Sequence, residues 1–87
     1  MNFGQAIEIL KAGGKVCREG WNGKGMWLVL VPGSTIQVVG GRPLASVFPV
    51  GSTVQYQAHI DMKTAQDTVV PWLASQSDML AEDWQRV

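Results

Sequence analysis

Met26-Trp27-Leu28-Val29-Leu30-Val31-Pro32-Gly33 is the stretch that organises the chain. An unbroken apolar run stops at Pro-Gly, the pattern of a strand closed by a turn. Just upstream lies Trp21-Asn22-Gly23-Lys24-Gly25, and Asn-Gly is the strongest short turn signal a sequence carries. Before it, Lys15–Glu19 is a short segment in which Val16 and Arg18 alternate with Cys17. Downstream, Ile36–Val39 reads as a short strand and Gly40-Gly41-Arg42-Pro43 as a loop. Leu44–Phe48, followed by Pro49 and Gly51, is loop-like. Val54–Met62 alternates, with Val54, Tyr56, Ala58, Ile60 and Met62 on one face and Gln55, Gln57, His59 and Asp61 on the other, which predicts one long strand. Gln66-Asp67 marks a turn. Thr68–Leu73 is a strand that Pro71 confines to an edge or a bulge. Ser75–Leu80 reads as a helical turn and Glu82–Val87 as a last short strand.

The N-terminal segment follows a different period. Phe3, Ala6, Ile7 and Leu10 share one helical face over residues 3–12, with Asn2 as N-cap and Gly13-Gly14 as the stop. So short a helix is marginal alone in water and must dock. The short connections between strands favour antiparallel pairing. The expected class is α+β: a single domain, residues 1–87, with an N-terminal helix packed on a small, mostly antiparallel sheet of about five strands.

Composition narrows the function. Seven basic and seven acidic residues cancel, so no global field draws the chain to a nucleic-acid polymer or an anionic membrane. Charged residues make up 16% and apolar residues 46%. That is too apolar for disorder and poor in charge for a solvated monomer. A chain this small buries only about 63% of its surface on folding, so extra burial by self-association would help. No apolar run nears membrane-spanning length, and the N-terminus lacks the basic-then-apolar pattern of a secretory signal. The single cysteine, Cys17, permits no internal disulfide and no zinc site, and reads as a small buried hydrophobe.

No metal-ligand spacing, nucleophile elbow or phosphate-binding Gly-Lys-Ser/Thr loop occurs. His59 and Asp61, neighbours on one strand face, could with Asp78, Glu82 and Asp83 form a hydrolytic or metal site, but a single histidine beside a carboxylate is more often an exposed or satisfied pair. The tryptophans are more informative, since four in 87 residues is several times ordinary usage. Trp21 sits in a polar, glycine-rich turn beside Arg18, Asn22 and Lys24. Trp72 follows a proline and precedes Ser75, Gln76 and Asp78. Trp27 opens the apolar strand, and Trp84 lies in the closing strand, where it reads as structural. An indole is a flat platform on which a base stacks. A neutral chain with such platforms and few cations suits a small nucleotide better than a polymer.

Three segments carry a resemblance: Arg18-Glu19-Gly20-Trp21-Asn22-Gly23-Lys24-Gly25-Met26-Trp27-Leu28, Ala58-His59-Ile60-Asp61-Met62-Lys63-Thr64-Ala65, and Val70 through Trp84. Together they resemble the Thoeris anti-defence protein type two family of phages, formerly a domain of unknown function. Only residues 34–53 look generic. The resemblance implies a sponge. It would bind glycocyclic ADP-ribose made by TIR-domain sensors, and in some members cyclic dinucleotides, without cleaving them and without cofactor or metal. It also implies a homotetramer with ligand pockets at subunit interfaces, working in the cytoplasm of the infected bacterial host. By motif position, Trp21 would stack the adenine, and Arg18 and Lys24 would meet the pyrophosphate. Asn22, Ser75, Gln76 and Asp78 would meet polar edges and hydroxyls, with Trp27 and Trp72 as further ligand-binding platforms. Two other readings are a small protein-interaction inhibitor of a host enzyme and a nucleotide hydrolase using His59 and Asp61.

Overall fold

In the computed structural model, which describes residues 1–87, helix α1 spans Phe3–Lys11. Its start is fixed by a reciprocal pair. Asn2 Oδ1 accepts from the Gln5 N–H and Gln5 Oε1 accepts from the Asn2 N–H, both at 2.9 Å, so two backbone donors that the helix leaves unpaired are satisfied. At the far end Gly13 takes φ 91°. The N–H groups of Gly13 and Gly14 bond the Leu10 and Ile9 carbonyls at 3.0 and 2.9 Å, which closes the helix as a Schellman turn.

The strands are β1 (Val16–Arg18), β2 (Trp27–Val31), β3 (Ser34–Gln37), β4 (Thr53–Tyr56), β5 (His59–Lys63), β6 (Val69–Pro71) and β7 (Trp84–Arg86). A short helix α2 (Gln76–Leu80) precedes β7, and 3₁₀ turns occupy Glu19–Trp21 and Pro43–Ser46. Five strands form an antiparallel sheet in the order β6-β5-β2-β1-β7, and β3 and β4 form a separate two-stranded sheet. The expected α+β class therefore holds. Pro71 lies on the edge strand, where its missing N–H is tolerated.

The main correction concerns 54–62, which is not one strand. It divides at Gln57-Ala58 into β4 and β5, and the strand expected at Ile36–Val39 begins earlier, at Ser34. The register explains the division. Pairing runs from Trp27↔Lys63 to Val31↔His59, and resumes without a slip from Ser34↔Tyr56 to Gln37↔Thr53. The two sheets are thus one long ribbon, interrupted where Pro32-Gly33 faces Gln57-Ala58. Pro32 has no N–H to give the ladder. At Gly33 the backbones close in so far that a Cβ would stand 3.0 Å from the Tyr56 carbonyl oxygen. Beyond this break the ribbon projects as an arm, with residues 38–52 at its end. The molecule measures 45 × 26 × 22 Å with a radius of gyration of 16.0 Å, against about 12 Å for a compact chain of this length.

The core lies between α1 and one face of the larger sheet. Ala6, Leu10, Val16, Leu28 and Trp84 are buried. Phe3, Trp21 and Trp72 surround Trp84, with ring centroids 5.5, 5.5 and 6.1 Å from it. The Trp84 Nε1–H donates to the Asp78 carbonyl at 2.9 Å, so the polar end of the indole is satisfied as well. The opposite face of the sheet is uncovered.

Removal of this indole is expected to cost about 3–5 kcal/mol, the range for a buried Trp→Ala. Urea unfolding of Trp84→Ala, with Trp84→Phe as an intermediate, checks it. A midpoint unchanged in the alanine variant would contradict the assigned core.

Candidate functional site

Residues 19–26 leave β1, turn once through the 3₁₀ segment and return to β2. The return needs left-handed backbone at Asn22 (φ 59°), Gly23 (φ 64°) and Gly25 (φ 75°). Asparagine and glycine accept that conformation at low cost. The loop thereby walls a cleft of about 210 Å³ lined by Cys17, Arg18, Trp21, Lys24, Trp27 and Gln85, among others. Cys17 and Gln85 are register partners. Trp27 adjoins buried Leu28 and so faces the other way, toward the uncovered side. Cys17 is accordingly half-exposed in the cleft, and not buried as the sequence suggested.

Four expected residues, Arg18, Trp21, Lys24 and Trp27, meet in this cleft, and Asn22 stands beside it in the loop. Trp21 is more firmly packed than its polar neighbours predicted. It is half-buried, its ring at 79° to Trp84. Trp27 carries the Lys15 ammonium over its ring at 4.9 Å, a cation–π contact. The side chains of Asn22 and Lys24 make no protein hydrogen bond or ion pair. Of the four indole N–H groups, only that of Trp84 has a protein acceptor. The cleft therefore combines aromatic surface, an unspent ammonium and unspent indole donors, with an unspent amide beside it.

Arg18 is differently employed. Its Nε donates to Asp83 Oδ1 at 2.8 Å and its Nη1 to Asp78 Oδ1 at 2.9 Å. The bonds it donates to Asp83 first, then to Asp78, raise its pKa further and hold the guanidinium charged. Asp83 Oδ2 also accepts from the Gly20 N–H at 2.8 Å. The Arg18 and Gly20 bonds keep the Asp83 carboxyl below the ordinary aspartate value of 3.8. Burial pushes Asp78 upward, but the Ser75 N–H, Arg18 and the Ser75 hydroxyl together outweigh it and leave its pKa lowered. Arg18 thus ties β1 and the start of the cleft loop to α2 and to the entry of β7, with Nη2 left unspent.

The remaining expected residues lie apart from the cleft. Trp72 packs at 6.2 Å from Phe3 and 6.1 Å from Trp84, on the helix side. Ser75 and Asp78 form the capping box of α2, and Gln76 is its first residue. His59 Nε2 stands 3.5 Å from Asp61 Oδ2 on the uncovered face. Asp83 precedes β7, three strand spacings or about 14 Å from β5. His59, Asp61 and the Asp78–Asp83 carboxylates are therefore not brought into one hydrolytic constellation. Sequence reasoning did not single out Cys17 or Gln85 as cleft residues. Their alternation with Val16 and Trp84 was the available signal.

A larger cleft of about 340 Å³ lies in the arm, between the β3–β4 ribbon and the Pro43–Ser46 turn, lined by Ile36, Val38, Val39, Leu44 and Tyr56 with Arg42 at its side. Its apolar lining suits covered apolar surface more than a polar ligand. The loop cleft, although smaller, brings charged side chains and indole rings together.

A family model described as Tad2-like, a Thoeris anti-defense 2-like domain, matches residues 1–87. Among curated proteins, Thoeris anti-defense 2 of Bacillus phage SP01 is 39% identical over 89 residues, covering 100% of this chain and 94% of the relative.

The Arg18 clamp carries a pH signature. Asp78 and Asp83 have lowered folded pKa values, so their stabilisation is complete above the unfolded aspartate value and is lost as pH falls through the folded values. Stability is expected to fall as pH drops below about 4, with a shallower fall in Asp83→Asn, which at neutral pH melts below wild type. Thermal melts from pH 7 to pH 2 check this. Parallel profiles for the two proteins would refute the clamp.

Proposed function

The chain belongs to the Thoeris anti-defense 2-like family, and from that premise, which gives it a phage anti-defence role, we propose that it acts as a sponge. It binds a signalling cyclic nucleotide, glycocyclic ADP-ribose in the first place, in the loop cleft, and holds it without turnover so that the defence effector receives none. The observation that carries this reading is that Trp21, Trp27 and Lys24 line one cleft, with Asn22 beside it, and that their polar groups are unspent. The ligand offers an adenine to stack, a pyrophosphate for an ammonium, and ribose hydroxyls for an amide. Lys24 serves the phosphate as a point charge and Asn22 the base or sugar edge. Arg18 spends two of its five N–H donors on Asp78 and Asp83 and contributes through those that remain, chiefly on Nη2. Ser75, Gln76, Asp78 and Trp72 lie outside the cleft of their own chain, and of these Asp78 acts on it through Arg18.

Self-association belongs to the same proposal. The chain exposes 5939 Å², against roughly 5,000 Å² for a compact protein of its mass. The excess is close to the roughly 800 Å² per partner that a standard interface buries. Val39, Val47, Phe48, Val50 and Tyr56, all exposed on the arm, are the surface that a homotetramer would cover. A host-enzyme inhibitor would use the same apolar arm, and the uptake experiment separates the two.

Protein incubated with glycocyclic ADP-ribose, freed of excess and then heated is expected to release the intact nucleotide. Degradation products would identify a hydrolase. No uptake would leave the interaction inhibitor. Trp21→Ala is expected to lose about 1–3 kcal/mol of binding, about 5- to 150-fold in affinity by calorimetry, while destabilising the fold less than Trp84→Ala. Wild-type affinity in Trp21→Ala would remove the stacking role.

Light scattering at micromolar concentration is expected to give a mass of about four chains. A monomer of 9.5 kDa would contradict the assembly.

A further inference from the structure

The cleft's loop has little of its own to hold it. Within residues 22–25 the only backbone bond is from the Asn22 N–H to the Glu19 carbonyl at 3.0 Å. Three of these four residues have left-handed backbone, and all are exposed. One further bond fastens the segment: Lys63 Nζ donates to the Gly25 carbonyl oxygen at 2.9 Å. No other hydrogen bond ties residues 23–25 to the rest of the protein.

Lys63 is placed for this by its register. It stands opposite Trp27 in the β2–β5 ladder, at the point where the loop enters β2. Its side chain is only 23% exposed and its ammonium also meets Asp67 Oδ1 at 2.7 Å. Asp67 is itself held in a tight turn. Its N–H bonds the Thr64 carbonyl at 3.1 Å, and the Thr64 N–H bonds the Thr68 carbonyl at 2.8 Å. The Thr64 and Thr68 hydroxyls meet at 2.7 Å. A chain of contacts therefore runs from the β5–β6 turn through a carboxylate and an ammonium to the carbonyl next to Lys24. The bond to Gly25 is charge-assisted, and the partner carboxylate keeps its donor aimed.

We propose that Lys63, aimed by Asp67, is the positioning residue that pre-forms the cleft wall carrying Asn22 and Lys24. A wall already in place adds no ordering cost when ligand enters, and a loosened wall lowers affinity without removing a ligand contact. The binding consequence rests on the reading of the cleft as a nucleotide site; the tethering itself does not.

Trypsin cleavage after Lys24, followed by mass spectrometry, reads the tether with no ligand present. Lys63→Met is expected to speed cleavage at Lys24 by about tenfold, with cleavage at Lys11, at the end of α1, unchanged. Lys63→Arg restores the wild-type rate, and Asp67→Asn falls between. The same order is expected in affinity for glycocyclic ADP-ribose, with a loss of about tenfold in Lys63→Met. Unchanged cleavage at Lys24 in Lys63→Met would overturn the proposal, as would equal acceleration at every site, which marks general destabilisation. If wild type binds no nucleotide, the sponge reading falls, and the cleavage pattern still decides the tether by itself.

Discussion

The indole of Trp84 is the contact on which the body of the molecule depends. Helix α1 reaches it through Phe3, the β6–α2 connection through Trp72, the cleft loop through Trp21, and α2 through the Asp78 carbonyl. Only a handful of side chains are fully buried, and this one joins four segments to β7. Its register partner on β1 is Arg18, whose guanidinium spans Asp78 and Asp83. An apolar hub and a charged fork thus sit side by side and hold the same elements. The hub supplies burial, which has no direction. The fork supplies geometry, because a planar guanidinium fixes the positions of the two carboxylates it meets.

The arrangement explains why the cleft is built as it is. Trp21 has two neighbourhoods: the Trp84 ring, which it meets at 79°, and the cleft it lines. A platform anchored in this way loses little rotamer freedom when a ring lies on it, whereas a free surface tryptophan would lose more. Lys24 and Asn22 have no such anchor, and what order they possess comes from the backbone of their loop.

Helix α1, its Asn2 cap and its Gly13-Gly14 stop were legible because their signals are local: a period, a capping residue and a glycine pair. The apolar run ending at Pro32-Gly33 and the edge position of Pro71 were legible for the same reason. The break at Gln57-Ala58 was not, because alternation persists through it. What interrupts the strand is the close approach of Gly33 from across the ribbon, a contact between residues far apart in sequence. The site shows the same division. Arg18, Trp21, Asn22, Lys24 and Trp27 are close in sequence, and the structure places them in or beside one cleft. That Arg18 spends two donors on Asp78 and Asp83, and that Ser75 and Asp78 cap α2, depends on a chain reversal no local pattern records. Cys17 and Gln85 entered the cleft through strand pairing between opposite ends of the chain.

The unbroken register of the long ribbon has a consequence for how such chains can vary in length. Pairing on the two sides of the Pro32-Gly33 break is in step, so adding or removing residues in matched pairs beyond it lengthens or shortens the projection and leaves every inward-facing side chain of the body inward. A single unmatched residue would instead turn one whole strand face over. Length in this molecule is therefore quantised at the far end and fixed at the near one: the reach of the arm is an adjustable dimension, and the cleft is insulated from the adjustment.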